Sequence, residues 1–149
     1  SIKGMYELEI ENNADIVVVS AGGIAHDHDL YNASWALHPA SKIARRNGTI
    51  ILVAECVEGM GPDGFIDLAH VDILSELERR YQLGAEMIHM VKTIGRQQQL
   101  ILVSTLPDYF IEPLGFESAR SANEAYNMAL NRRGKKTVFI PYGCSTIPA

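Results

Sequence analysis

The chain has 149 residues, 47% of them hydrophobic and 21% charged, with a formal net charge of −5. These values fit one folded domain that buries roughly 68–70% of the surface of its unfolded chain, and they exclude a disordered one. The negative balance excludes broad binding to nucleic-acid backbones, which needs clustered cations, and the short basic runs (Arg45-Arg46, Arg79-Arg80, Arg132 to Lys136) fall near expected helix ends, where cations complement the dipole.

From the amino terminus, Met5 to Ile10 alternates and predicts an additional edge strand. Asp15 to Ser20 is a continuous apolar run, the pattern of a strand buried on both faces of a parallel sheet. Leu30, Ala33, Leu37, Ala40 and Ala44 then form a helical stripe, with Asp29 as N-cap and Gly48 beyond the C-terminus. Pro39 interrupts it, predicting either a kink or a second helix that starts with Pro39 at its first position. Thr49 to Ala54 is a second buried strand, followed by a loop, Glu55 to Gly64, whose glycines and proline predict flexibility. A helical region covers about Ile66 to Val91 in two pieces around Gly84, and Leu100 to Ser104 is a third strand. Ser121-Ala-Asn-Glu124 is a capping box; Ala125, Met128 and Ala129 give the buried stripe of its helix, and Gly134 suits the position past its end. Thr137 to Ile140 is a strand ended by Pro141, which has no N–H for a ladder. Strand and helix in alternation predict an α/β fold over residues 1–149: a doubly wound, mostly parallel sheet of about four to five strands with helices on both faces.

Two cysteines, Cys56 and Cys144, are too few for a disulfide scaffold and have no metal spacing, so both read as reduced thiols. No apolar run reaches membrane-spanning length and no signal-peptide pattern opens the chain, from which a cytoplasmic location is expected. Ser1 to Met5 lacks an initiator methionine and leads straight into the first expected strand, which favours a fragment of a longer protein.

Ligands of open parallel sheets bind beyond the carboxyl ends of the strands. That rule nominates the loops Ala21 to Asp29, Glu55 to Gly64, Ser104 to Gly115 and Tyr142 to Pro148. The first carries the densest chemistry. Gly22 and Gly23 can bring backbone N–H groups to an anion, although two glycines are no dinucleotide fingerprint. Tyr31, Trp35 and His38 share a face turned away from the apolar stripe; they either meet a ligand or second domain, or pack under a neighbouring loop. His26, Asp27, His28 and Asp29 are four successive residues, a poor metal set, and capping explains the aspartates more cheaply. His70 and His89 read as structural, and no catalytic or metal-ligating residue is assigned.

In ordered pieces across nearly the whole chain, the sequence resembles the C-terminal domain of the nickel-pincer-nucleotide lactate racemase family of 2-hydroxyacid racemases and epimerases. The pieces are Ala14 to Gly23, Asp27 to Asn32, Gly48 to Gly61, Gly84 to Val91, Leu100 to Pro107 and Ile140 to Pro148. The resemblance implies a two-domain enzyme with its site in the cleft between domains. Its N-terminal domain, not represented in these residues, would hold the nickel-pincer nucleotide on a lysine, ligate the nickel and supply the proton-exchanging histidines. The chemistry implied is reversible hydride abstraction at the substrate α-carbon. The C-terminal domain would contact substrate and cofactor through a pattern resembling Asp-x-x-x-Tyr-Gln-x-x-Lys, which falls on Asp27, Tyr31, Asn32 and Trp35. Asn32 for glutamine keeps the amide. Trp35 for lysine replaces a carboxylate-pairing cation with an aromatic wall, which implies a larger, polyhydroxylated or aromatic, 2-hydroxyacid in place of lactate. The partners so implied are the N-terminal catalytic domain and a small 2-hydroxyacid, with no nucleic acid and no membrane; a homo-oligomer stays open. Two other classes remain: a stand-alone nucleotide-binding module, and an interaction domain that docks a partner through Tyr31 and Trp35.

Overall fold

Five strands with apolar side chains on both faces make a parallel sheet in the computed structural model, which describes residues 13–22, 28–63, 65–70, 84–132 and 136–141. These are β1 (Ala14–Ser20), β2 (Ala44–Val53), β3 (Gln99–Val103), β4 (Phe116–Ala119) and β5 (Thr137–Ile140), in the order β4-β3-β2-β1-β5. Every neighbouring pair is parallel, with Val18 opposite both Ile51 and Phe139, and Ile51 opposite Ile101. Because successive strand residues point to opposite faces, Val17, Val19, Ile50, Leu52, Leu100 and Leu102 enter the larger core, while Ile16, Ile51 and Ile101 enter the smaller one.

The larger core is closed by α1 (Leu30–Ala33) and α2 (Leu37–Ile43), joined by a 3-10 turn over Ser34–Ala36, and by α3 (Phe65–Ala69) and α4 (Ala85–Gln97). A short helix α5 (Asp108–Ile111) and the 3-10 turn Glu112–Leu114 add Ile111 and Leu114 to it. On the other face α6 (Ala122–Leu130) lays Ala125 and Ala129 on the sheet, flanked by the half-buried Tyr126 and Met128. The Tyr126 hydroxyl lies 3.0 Å from Thr137 Oγ1 and ties this helix to β5. The chain winds outward from β1 to β4, then returns through α6 to place β5 on the far side of β1. Right-handed crossovers force that return onto the opposite face, so strand order reverses beside β1. The carboxyl end of β1 is therefore at the switch point, where a crevice for ligands forms in folds of this kind.

Several sequence expectations change in detail. The helix after β1 ends at Ile43, and Ala44 already begins β2, so Ala44 does not complete the apolar stripe. Its last carbonyls need no glycine cap, because Gln98 Nε2 reaches Ser41 O and Ala44 O, each at 3.4 Å. Gly48 instead stands in β2, beyond a register shift between Ala14 and Ile16. There a Cβ would come within 2.9 Å of Arg45 O and 3.0 Å of Asp15 O, so close backbone approach is what calls for glycine. The helical break falls at Ser34–Ala36, ahead of Pro39, which is the third residue of α2 and so in a first turn that can spare its N–H.

β4 was not expected from the sequence, and α4 runs six residues past Val91 to Gln97. Arg45 and Arg132 form ion pairs with Asp15 and Glu117. The expected strand Met5 to Ile10, the loop Tyr142 to Pro148, and Arg79, Arg80, Arg133, Gly134, Lys135 and Cys144 lie outside the described residues. No helix among the described residues is long and apolar enough to cross a membrane.

Candidate functional site

β1 ends at Ser20, and Gly22 follows with φ 110, a conformation glycine adopts freely. Gly23 and Asp27, with His26, lie outside the described residues. Description resumes at His28, and Asp29 caps α1 as expected: its Oδ1 accepts from Asn32 N at 2.7 Å. The same oxygen accepts from Asn32 Nδ2 at 2.9 Å. That bond orients the amide, so its nitrogen also faces His28 Nε2 at 3.1 Å. The same Nε2 lies 3.5 Å from Asp29 Oδ2, so the imidazole stands between the amide and the capping carboxylate.

The loop after β2 is not the loosely attached segment that its composition predicts. Glu58 N donates to His28 O at 2.7 Å, Leu30 N to Gly59 O at 3.0 Å, and Tyr31 N to Met60 O at 2.9 Å. Three backbone bonds thus zip the loop to the entry of α1. Cys56 and Met60 are buried beneath it, and Thr105 N reaches Glu55 O at 3.2 Å from the loop after β3. Gly61, at φ +128, comes so near Tyr31 that a Cβ would stand 2.5 Å from Tyr31 Cβ.

Tyr31 occupies the middle of an aromatic column. Its ring meets Phe65 edge-on at 5.7 Å and Trp35 edge-on at 6.3 Å, both favourable near-perpendicular contacts. Phe65 is fully buried, Tyr31 half-buried, and Trp35 41% exposed, so the column runs from core to solvent. Both readings of the aromatic face therefore hold in part: Tyr31 packs under the neighbouring loop, whereas Trp35 stays open. The Tyr31 hydroxyl donates to Glu86 Oε1 at 3.3 Å. Burial, then the charge and hydrogen bond of Glu86, and then the charge of Asp29 hold its phenol above the ordinary value, leaving it a neutral donor. His38 is exposed on α2, beyond the column.

The structure thus brings Tyr31 and Trp35 together and fixes Asn32 one residue from Tyr31 by its own bonds. The sequence reading missed Phe65 and Glu86, which hold Tyr31, and the exposed Val57 and Tyr109. These last two belong to nominated loops, but hydrophobicity alone did not separate them from core residues. With Trp35 they place exposed large apolar side chains after β1, β2 and β3 in turn, on the carboxyl rim of the sheet. Among the described residues no three His, Cys, Asp or Glu side chains gather as a metal set. With His28, Asp29 and Glu86 turned to Asn32 and Tyr31, the rim offers amide, phenol and indole groups, suited to hydrogen bonding and stacking.

Comparison with known proteins bears on this rim. Residues 10–147 match the family model described as the lactate racemase C-terminal domain. The chain is 30% identical over 151 aligned positions to the lactate racemase of Lactiplantibacillus plantarum, covering 91% of this chain and 35% of that protein. It is also 36% identical over 52 positions to the lactate racemase of Thermoanaerobacterium thermosaccharolyticum, covering 35% of this chain and 12% of that protein. The structure of the apoprotein from the latter organism superposes with a TM-score of 0.83 at 23% identity, over 98% of this chain and 39% of that one. The chain spans about a third of the length of the first of these relatives.

Proposed function

Because the chain belongs to the lactate racemase C-terminal domain family, we propose that it forms the covering half of a 2-hydroxyacid racemase or epimerase, closing on an N-terminal catalytic domain. The observation that carries this reading is the Tyr31–Trp35 pair, fixed from below by Phe65 and Glu86 and open above at the rim. Exposed Val57 and Tyr109 extend that rim as a surface for another domain.

The donor set fits contact with a nucleotide cofactor and substrate better than ligation of a metal, since nickel calls for gathered imidazole or thiolate donors and the His28 imidazole faces Asn32 with no such set around it among the described residues. Gly22 and Gly23 would offer backbone N–H groups to the anionic part of the nickel-pincer nucleotide, and Asp27 with Asn32 would hydrogen-bond substrate or cofactor. When bound, that cofactor supplies hydride acceptance and return at the substrate α-carbon. This chain's own residues orient the substrate and exclude water. Tyr31, a neutral phenol held by Glu86, donates or accepts without adding charge, and Trp35 walls the site. An indole in place of a cation favours a substrate with an aromatic or sugar-like face over lactate. Closure of the domain gates entry and release. A reducing, cytoplasmic setting suits a chain whose two cysteines are too few for a disulfide scaffold.

The test is racemisation by the chain joined to its N-terminal domain, comparing Trp35→Lys with wild type on lactate and on phenyl-lactate. The proposal expects the lysine variant to gain on lactate and lose on phenyl-lactate. Equal turnover of both acids by the two proteins contradicts it. So does tight nucleotide binding by this chain alone, without any racemisation in the joined protein.

A further inference from the structure

Of the two hydrogen-bonding roles open to a neutral phenol, the surroundings of Tyr31 select one. A hydroxyl has a single proton, and that of Tyr31 goes to Glu86 Oε1 at 3.3 Å. Packing holds both partners in place. Phe65 meets the Tyr31 ring edge-on at 5.7 Å, and it also lies so close to Gly84, the N-cap of α4, that a Cβ there would stand 2.9 Å from Phe65 Cδ2. One buried ring thus fixes the phenol and the start of the helix that carries Glu86 in its first turn. A carboxylate in a first turn complements the helix dipole and, when ionised, can only accept a hydrogen bond. The phenol oxygen keeps its lone pairs for the group that meets it.

Asn32 follows the same plan one residue on. Its Nδ2 donates to Asp29 Oδ1 at 2.9 Å, so this donor too is turned on a carboxylate of the chain. The charges that act on the phenol are those of Glu86 and Asp29, both negative. A ligand carboxylate, which only accepts and bears the same sign, is the wrong group to bring to Tyr31. A neutral hydroxyl suits it, because it can donate.

We propose that Glu86 is a positioning residue that sets Tyr31 as an acceptor, so that this half of the site selects the α-hydroxyl of a 2-hydroxyacid and leaves its carboxylate to the N-terminal domain. The inference rests on the racemase reading and adds the orientation of the substrate to it. The α-hydroxyl is the donor common to every 2-hydroxyacid. In the matching 2-ketoacid a carbonyl oxygen takes its place, and lone pairs would then face lone pairs.

The test uses the chain joined to its N-terminal domain, on whichever of lactate and phenyl-lactate it racemises faster, with pyruvate or phenylpyruvate as the matching competitive inhibitor. The quantity read is the inhibition constant of the ketoacid divided by the KM of the hydroxyacid. Glu86→Ala frees the phenol proton to meet the ketoacid, and the ratio falls roughly tenfold, the scale of one polar group losing its partner. Glu86→Gln restores it, because an amide oxygen also accepts that proton. In Tyr31→Phe the ratio is already low, and adding Glu86→Ala lowers it no further. Equal weakening of both acids in Glu86→Ala marks a merely structural role and overturns the proposal, as does a ratio that Tyr31→Phe leaves at the wild-type value. A wild-type joined protein that racemises neither acid removes the racemase reading and this inference with it. Racemisation with a ratio indifferent to Glu86 removes the inference alone.

Discussion

The Tyr31 hydroxyl donates to Glu86 Oε1 at 3.3 Å, joining the first helix after β1 to the first turn of α4 across 55 residues of sequence. The surroundings of this hydroxyl set how the rim responds to alkali. Burial foremost, then Glu86 and Asp29, raise the phenol above its ordinary value of 10.0. The native state keeps its proton where the unfolded chain has begun to lose one. The stability tied to Tyr31 is thus complete below pH 10 and is lost as pH rises through the native value. Denaturation midpoints of wild type should fall more steeply above pH 10 than those of Tyr31→Phe, whose other tyrosines cancel in the comparison. Identical slopes contradict the coupling.

Gly61 and Gly59 provide a matched pair of substitutions on the zipped loop. Both have positive φ, +128 and +91, but only Gly61 is crowded: its Cβ would meet Tyr31 Cβ at 2.5 Å, whereas nothing lies within 4 Å of Gly59. Gly59→Ala should cost about 1–2 kcal/mol from backbone strain. Gly61→Ala should cost about 1–3 kcal/mol more by overpacking, with a change in Trp35 emission as Tyr31 shifts. Urea denaturation measures both, and equal costs would remove the crowding argument.

Asp29 does two jobs through one oxygen, capping Asn32 N and orienting the Asn32 amide. Asp29→Ala should lose about 1 kcal/mol of stability, and Asp29→Asn should recover most of it, because an amide oxygen also caps. Chemical denaturation of the three proteins checks the order. A fully stable alanine variant would mean that the three backbone bonds of the loop, not the cap, hold α1 in place.

Much of this arrangement was legible in the residues. The runs at Asp15, Thr49 and Leu100 read as buried parallel strands because both sheet faces are covered there, and Thr137 to Ile140 read as a strand although Phe139 on it is exposed. The capping box at Ser121 is real, although Glu124 Oε2 reaches back to Arg120 N, one residue beyond the usual partner. β4 escaped notice because Phe116-Glu-Ser-Ala119 is a short edge strand whose Glu117 faces Arg132. The end of α2 at Ile43 was hidden for a tertiary reason, since Gln98 from a distant segment meets its carbonyls. The rim suffered likewise. Periodicity puts Tyr31 and Trp35 on one side, but Phe65, Gly61 and Glu86, which fix Tyr31, come from far along the chain through contacts that leave no local pattern.

Trp35 is the single tryptophan of the chain and is 41% exposed, so its fluorescence reports on what covers the rim. Acrylamide quenching, measured for the chain alone and for the chain joined to its N-terminal domain with a 2-hydroxyacid present, tests the covering role directly. The account predicts that Trp35 becomes shielded and its emission shifts to the blue when the joined protein holds substrate. A joined protein that racemises its substrate while Trp35 stays as accessible as in the chain alone would contradict it.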